Sequence, residues 1–437
     1  MAKTVLLIAF HIPPSAISSG HLRPLGFAKY LPSLGWTPAV LSASTRAYSH
    51  TDAASVKLVP EGCPVYRAFA LDAGRHLSIR GKYPAVLAQP DRWASWWPAA
   101  VGLGLRLVRR HKVQAIWSTY PIMTAHCVAH TLSRLTNLPW IADFRDPVTS
   151  SVAERDRLTR SSRMRCERRI LSRANYSVFT TPGAMHSYAE RYPGIHREGR
   201  LKVIQNGFDE ADFAALPPYR SFTGGRSLHL VHAGVLYPTG RSPIPFFEAL
   251  ASLRDSGFFI GRDLRVTLRA SGSERQYGVA LERLGLQEMV SLAPGVPYHE
   301  ALAEQAQADG LLLFQGDQYD NQIPAKLYEY LRIGRPIFAL VGGQGDTAAV
   351  LREAGGAELV PLDDVSRIKQ GFVRFVMSLI EGEVMPEHQC DIGKWSRRQG
   401  AVELAHLLDQ VVGRGARAET VRVDEEASRT GHSSATQ

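Results

Sequence analysis

Short apolar runs alternate along the chain with stretches of helical period. The runs at 5–10, 39–42, 115–118, 140–143, 176–180 and 203–205 are brief and rich in aliphatic and β-branched residues, as buried parallel strands are. Helical periods at 22–34, 101–111 and 123–136 fall between them. After a break the rhythm restarts. Strands are predicted at 228–232, 265–270, 290–292, 310–314, 337–341 and 358–360, with helices at 245–255, 277–284, 298–306 and 326–333. This alternation predicts an α/β chain of two Rossmann-like domains in tandem.

The break is Leu216-Pro217-Pro218-Tyr219-Arg220-Ser221-Phe222-Thr223-Gly224-Gly225, rich in proline and glycine and without apolar period. The expected organisation is a first domain over 1–215, a linker over 216–226 and a second domain over 227–390. A last helix over 391–412 and a small, polar, disordered tail over 413–437 complete it. No 20–50-residue repeat recurs, which excludes a solenoid.

Length supports this division, because 437 residues exceed what one hydrophobic core organises. No apolar run is long enough to span a bilayer. The opening Thr4-Val5-Leu6-Leu7-Ile8-Ala9-Phe10 reads as a first strand, not a signal peptide. Charge is unevenly placed: residues 1–200 carry a net +16 and the remainder −6. The first half therefore suits an anionic partner, whether nucleic acid, a membrane surface or a phosphorylated substrate. Trp93, Trp96 and Trp97 ahead of an apolar helix and Arg109-Arg110-His111-Lys112 resemble an interfacial element, against the plainer reading of a helix packed on the sheet. Cys63, Cys127, Cys166 and Cys390 form no C-x-x-C pair, so neither a zinc nor a redox site is expected, and reduced thiols in the cytosol are.

Candidate chemistry sits where predicted strands run into helices. The loop from Phe10 to Pro24 holds His11, Gly20, His21 and Arg23 in the place where α/β domains bind phosphates or substrates, although it lacks a G-x-G-x-x-G fingerprint. His126 falls in the first turn of another helix, where a core histidine is the ordinary alternative. Asp143, Arg145 and Asp146 close a strand, as a local ion pair or a substrate clamp. Gly234 and Arg241 open the second domain, and backbone N–H groups with a guanidinium suit a diphosphate. Ser271-Gly272-Ser273 is a weaker version. The densest stretch is Asn321 to Pro336. Pro324 opens a helix, Lys326 and Glu329 share one face, and Gly334 with Pro336 ends it. Lys326 suits a phosphate and Glu329 the two hydroxyls of a ribose, against an exposed Lys–Glu pair.

These residues, with Ala28-Lys29-Tyr30-Leu31 and Val203-Ile204-Gln205-Asn206-Gly207-Phe208-Asp209, resemble the retaining glycosyltransferases of family 4 over about residues 4–412. The resemblance implies a GT-B fold, two Rossmann-like domains facing across a cleft with a C-terminal crossover helix. It implies a nucleotide-sugar co-substrate on the second domain and an acceptor on the first. Glu329 matches the ribose-binding glutamate, Arg241 and Lys326 the diphosphate cations, Gly20 a phosphate-facing glycine, and Gly295-Val296 a loop meeting the base. His126 resembles a histidine near the transferred sugar. Asn321 stands where the family pattern has a first glutamate eight positions before the second, which removes a charge near the sugar.

The expected activity is sugar transfer to a polysaccharide or lipid-linked glycan by a cytoplasmic, peripherally membrane-associated enzyme, without cofactor or metal: no D-x-D signature is present. His126, Arg241 and Lys326 are the catalytic candidates. Gly20, Gly234, Arg241, Gly295, Val296, Asn321, Lys326 and Glu329 are assigned to the donor, and His11, His21, Arg23, Asp143, Arg145 and Asp146 to the acceptor. The alternatives are a nucleotide-sugar epimerase of the same shape and a non-catalytic nucleotide-sugar-binding protein. Nucleic acid is the less expected partner.

Overall fold

The computed structural model describes residues 3–16, 19–80, 82–145, 147–148, 157–217, 227–382 and 389–413. Asp146, most of the expected linker and the tail beyond 413 lie outside the described residues.

The chain divides into two compact units, one of residues 1–180, 184–205 and 397–437, the other of 181–183 and 206–396. The first contains a seven-stranded sheet: β1 (Lys3–Ile8), β2 (Trp36–Ala43), β3 (Val65–Ala68), β4 (Ala115–Thr119), β5 (Trp140–Arg145), β6 (Tyr176–Phe179) and β7 (Leu201–Val203). Their order is β3-β2-β1-β4-β5-β6-β7, every pair parallel. The second contains six: β8 (Leu228–Ala233), β9 (Leu264–Arg269), β10 (Val290–Ala293), β11 (Gly310–Gln315), β12 (Ile337–Val341) and β13 (Ala357–Val360), in the order β10-β9-β8-β11-β12-β13. These are also all parallel. Each order reverses beside its first strand, at β1/β4 and at β8/β11. Loops at the carboxyl ends of strands diverge there, and such sheets bind ligands there.

The strands are legible because helices cover both faces, so β12 is apolar at every position and buried throughout, and β4 is buried throughout although it ends in Ser118 and Thr119. β3, unforeseen in the sequence, is an edge strand of Val-Tyr-Arg-Ala, buried at one position only. The first helix stops at Leu22–Tyr30 because Pro32 follows, and a 3₁₀ turn over Leu31–Leu34 replaces its last turn. The last helix runs over residues 397–413 and belongs to the first unit. Ala401, Leu404, Leu408 and Val411 pack there against Val5, Leu7 and Trp117.

The chain leaves the first unit after Gln205 rather than beyond 215, because Phe208 and Phe213 are core residues of the second unit beside Tyr328 and Trp395. Gly207 marks a close approach: a side chain there would meet the Trp395 carbonyl at 2.1 Å, and the Phe208 N–H donates to that carbonyl at 3.1 Å. The Asn206-Gly207-Phe208-Asp209 stretch thus has a packing reason for its glycine.

The tryptophans are not interfacial. Trp96 is wholly buried against Phe10, Trp93 donates to the Ala47 carbonyl at 3.3 Å, and Trp97 donates to Thr131 Oγ1 at 3.0 Å. Each indole N–H faces inward on Trp93 and Trp97, which sheet-packed rings require and membrane anchors do not. Among the described residues no helix is long and apolar enough to cross a membrane.

Candidate functional site

The second unit assembles its polar groups at the switch point. The penultimate residue of β8 is His232, a buried residue whose Nδ1 lies 2.8 Å from the Leu312 carbonyl. Its Nε2 lies 3.0 Å from Lys326 Nζ and 3.1 Å from the Gly234 carbonyl. Burial and the neighbouring Lys326 hold the His232 ring well below the usual imidazole range, so the ring is neutral and adds no third cation beside Lys326 and Arg241. Gly234 follows, with φ 115°; a side chain there would meet Lys326 Nζ at 2.8 Å. Only glycine gives both that backbone and that clearance.

Lys326 lies in the first turn of helix Ala325–Ile333, which Pro324 opens and Gly334 closes in the left-handed conformation. Its ammonium is pushed down to about 7 by burial and by the Arg241 guanidinium, with Glu329 opposing. Arg241 is set by β11: its Nη2 donates to Gln315 Oε1 at 2.9 Å and its guanidinium covers the Tyr319 ring at 4.8 Å. The Gln315 amide nitrogen donates in turn to the Gln322 carbonyl at 2.6 Å and to Thr347 Oγ1 at 2.9 Å. Two cations are thus brought together at the ends of the two switch-point strands, and their mutual repulsion falls when an anion lies between them.

One turn beyond Lys326, Glu329 Oε1 accepts from the Tyr298 hydroxyl at 2.8 Å. Tyr298 opens the helix after Gly295-Val296-Pro297, so the carboxylate and that loop are tied to one side chain. Gly295 is exposed and Val296 half-buried. Arg269, at the end of β9, donates to the Pro294 carbonyl at 2.6 Å and pairs with Glu304, pinning the same loop. An open cavity of about 590 Å³ is lined by Gly272 and Ser273, in the loop after β9, and by Glu274, Arg275, Gln276 and Val279, on the helix Glu274–Leu284 that follows. Asn321 is exposed ahead of Pro324. Lys326, Arg241, Gly234 and Glu329 therefore gather at one end of one sheet, with the Gly295-Val296 loop linked through Tyr298. His232 and Gln315 complete them and were missed. The available signal was a lone polar residue closing each of two apolar runs.

The first unit uses its candidates differently. Arg23 and Asp143 form a buried bidentate pair, Nε to Oδ2 and Nη2 to Oδ1, both 2.9 Å, with Asp143 wholly inaccessible. Arg23 also donates to the carbonyls of Ile204 at 2.9 Å and Gln205 at 3.0 Å, and Thr119 Oγ1 donates to Asp143 Oδ2 at 2.8 Å. An acceptor role is replaced by a structural one, because these polar atoms are engaged inside the protein. His126 reaches no surface. Its exposure is 0%, its ring lies against Phe144 and Trp140, and its Nδ1 shares a 2.7 Å hydrogen bond with Ser118 Oγ. Burial lowers it to about 4. The ordinary core histidine describes it, and the site below does not use it.

His11, His21 and Arg145 remain together at the carboxyl ends of β1 and β5. His11 is 6% exposed and pushed down to about 4 by burial, then by Arg145 and His21. Arg145 has φ 59°, unusual for a residue with a side chain, and donates to the Gly20 carbonyl at 3.0 Å.

No family model matches the chain, and no curated protein matches it. Solved structures do. It resembles sucrose-phosphate synthase from Thermosynechococcus elongatus, with TM-score 0.61 and 14% identity, over 96% of this chain and 100% of that one. It resembles Anabaena HepE in complex with UDP, with TM-score 0.59 and 15% identity, over 96% and 100%. A putative UDP-N-acetylglucosamine 2-epimerase from Listeria monocytogenes follows at 0.55 and 12%, over 93% and 96%. At such identities the likeness shows the fold: the chain has the two-unit α/β architecture of GT-B proteins.

Proposed function

We propose that the chain is a glycosyltransferase that binds a nucleotide-sugar on its second unit and transfers the sugar, with retention, to a glycan or lipid-linked acceptor. The observation that carries this reading is the pairing of Lys326 with Arg241 at the β8/β11 switch point, with Glu329 one helical turn away. The two cations fit a diphosphate. Glu329 fits a ribose, and the loops at 271–276 and 294–296 fit a base. HepE, of the same fold, has been solved with UDP and with UDP-glucose, which supports a uridine nucleotide as the first donor to try.

In this mechanism the bond between sugar carbon and diphosphate oxygen breaks, and negative charge grows on the leaving diphosphate. Arg241 and Lys326 stabilise that charge without reorganising, since Gln315, Tyr319 and His232 already hold them. The acceptor oxygen bonds to the same sugar carbon on the face that the diphosphate leaves, and the leaving phosphate takes the acceptor's proton. The chain supplies position and charge rather than a nucleophile.

The test is direct binding. UDP-sugars in a panel are expected to raise the melting temperature of the full chain. Glu329→Ala is expected to weaken the binder at least about tenfold by calorimetry, as loss of a hydrogen bond to a charged group does. Equal affinity in the variant removes Glu329 from the site, and no stabilisation by any nucleotide-sugar removes the donor reading. An epimerase, the reading the Listeria likeness favours, would return an isomerised nucleotide-sugar without acceptor.

An anionic membrane surface is the partner that the basic first 200 residues suit. Between Ala73 and Pro90 there is no Asp or Glu. Arg75, Arg80 and Lys82 are exposed there, as are Ile79 at 80% and Val86 at 71%. The base of this excursion is held by Asp72, which caps Gly74 and pairs bidentately with Arg92 at 2.7 and 2.6 Å. The full chain is expected to sediment with phosphatidylglycerol vesicles at low salt and to be released by salt. Ile79→Asp with Val86→Asp is expected to cut binding at least about tenfold, from lost apolar burial. A full chain that ignores those vesicles at low salt makes a soluble acceptor the better reading.

A further inference from the structure

The helices that follow β4 and β5 carry facing thiols. Cys127, on helix Met123–Thr136, is 7% exposed, and Cys166, on helix Arg157–Arg173, is half-buried. Their sulfurs lie 3.8 Å apart, with the Cys127 S–H directed at Cys166 Sγ. Both side chains thus point into the same gap between two packed helices, and a bond needs the sulfurs to approach to about 2.05 Å by side-chain rotation. Cys63 and Cys390 sit elsewhere, in the aliphatic core by β1 and in the second unit.

The surroundings distinguish the two thiols. The S–H donated by Cys127 and, one turn after Cys166, the Arg169 guanidinium favour a thiolate at Cys166 against its partial burial, and Cys166 is the more accessible of the two residues. Asp91 opposes it from the segment ahead of helix Trp96–Arg110, with its carboxylate engaged by the Thr124 N–H at 2.8 Å and Thr124 Oγ1 at 2.9 Å. Cys127 is held as the thiol by its bond to Cys166 and by burial. An accessible attacking sulfur with a buried resolving sulfur in contact is the arrangement that thiol–disulfide exchange requires.

We propose that Cys127 and Cys166 are a redox-active dithiol that closes to a disulfide by exchange with a small-molecule disulfide of the glutathione type, stapling the two helices together. Cys166 Sγ attacks one sulfur of the oxidised reagent, forming a mixed disulfide and expelling the first thiolate. Cys127 Sγ then attacks Cys166 Sγ and expels the second. The two thiol protons of the protein end on the two released thiols. The protein loses two electrons and the reagent gains two. The bond encloses residues 127–166, which include β5 and Arg145 at its end. It therefore restrains the part of the first unit that carries Arg145, whatever the activity of the second.

The probe is oxidised glutathione on the folded full chain. Two of the four thiols are expected to disappear, the mass to fall by two hydrogens, and a proteolytic peptide linking Cys127 to Cys166 to appear, reversed by dithiothreitol. The closed loop is expected to raise the melting temperature by several degrees over the reduced protein. Cys127→Ala and Cys166→Ala should each abolish the linked peptide, while Cys63→Ala and Cys390→Ala leave it. Peptide mapping of the unsubstituted chain tests the proposal even where a variant folds poorly. Four titratable thiols after equilibration, a lasting glutathione adduct on Cys166 alone, or a disulfide between other cysteines overturns it. None of these outcomes bears on the donor site, because nucleotide binding is read separately.

Discussion

Asp143→Asn is expected to destabilise the first unit by about 3–5 kcal/mol, the cost of leaving a buried charge without its partner. The substitution keeps size and shape, so the loss reports the charge and one exchanged hydrogen-bond acceptor rather than a cavity. Arg23 would retain its bonds to the Ile204 and Gln205 carbonyls and one bond to the amide oxygen, but the amide nitrogen, a donor, would replace the second acceptor. The carbonyls and the more distant charge of the half-buried Glu403 do not replace a bidentate partner for a guanidinium that is 7% exposed. The denaturant midpoint of the full chain checks this, with the first transition assigned by tryptophan fluorescence, since Trp36, Trp96, Trp117 and Trp140 are all buried in that unit. The double variant Arg23→Met, Asp143→Leu is expected to recover much of the loss, because an apolar pair replaces a desolvated ion pair at little net cost. A cost below about 1 kcal/mol for the single variant would place the pair in the class of surface bridges, contrary to its burial.

That pair also shows what the sequence can and cannot disclose. Parallel strands buried on both faces leave apolar runs, so twelve of the thirteen strands among the described residues were readable to within a few residues. β3 was not, because an edge strand with Tyr and Arg carries no such pattern. The helix from Ala325 to Ile333 was readable from its proline start and glycine end. Its partners were not: His232 and Gln315 stand at or one residue before a strand's end, and one polar residue there looks like the beginning of a loop. Arg23 and Asp143 are 120 positions apart, and no local rule couples them. Read locally, each had the composition of a substrate contact. His126 failed for a related reason, since its place in a first turn says nothing about which helix face meets the sheet. The facing cysteines are separated by 39 positions, far outside any metal or redox spacing.

Arg241→Ala is expected to lower turnover about 10²–10³-fold, the range found when one preorganised group is removed from a developing negative charge. Donor affinity is expected to fall much less. In the ground state the diphosphate keeps Lys326 as a counter-charge. Donor binding is expected to hold that ammonium protonated where it otherwise titrates near 7. At the transition state the leaving group carries more charge, and the second cation is then worth more than it was in the bound donor. The guanidinium is suited to this because it does not titrate, and because Gln315 Oε1 at 2.9 Å and the Tyr319 face at 4.8 Å hold it before the donor arrives. Gln315→Ala, which touches no donor in this reading, should then lower kcat in the same direction by loosening Arg241, with a smaller effect. The measurement is steady-state transfer or donor hydrolysis, using whichever nucleotide-sugar raises the melting temperature. A raised KM with unchanged kcat in Arg241→Ala would mean that Arg241 binds donor and transition state alike. The charge of the departing diphosphate would then rest on Lys326 and the backbone at Gly234, and the same measurement on Lys326→Met would show the larger fall.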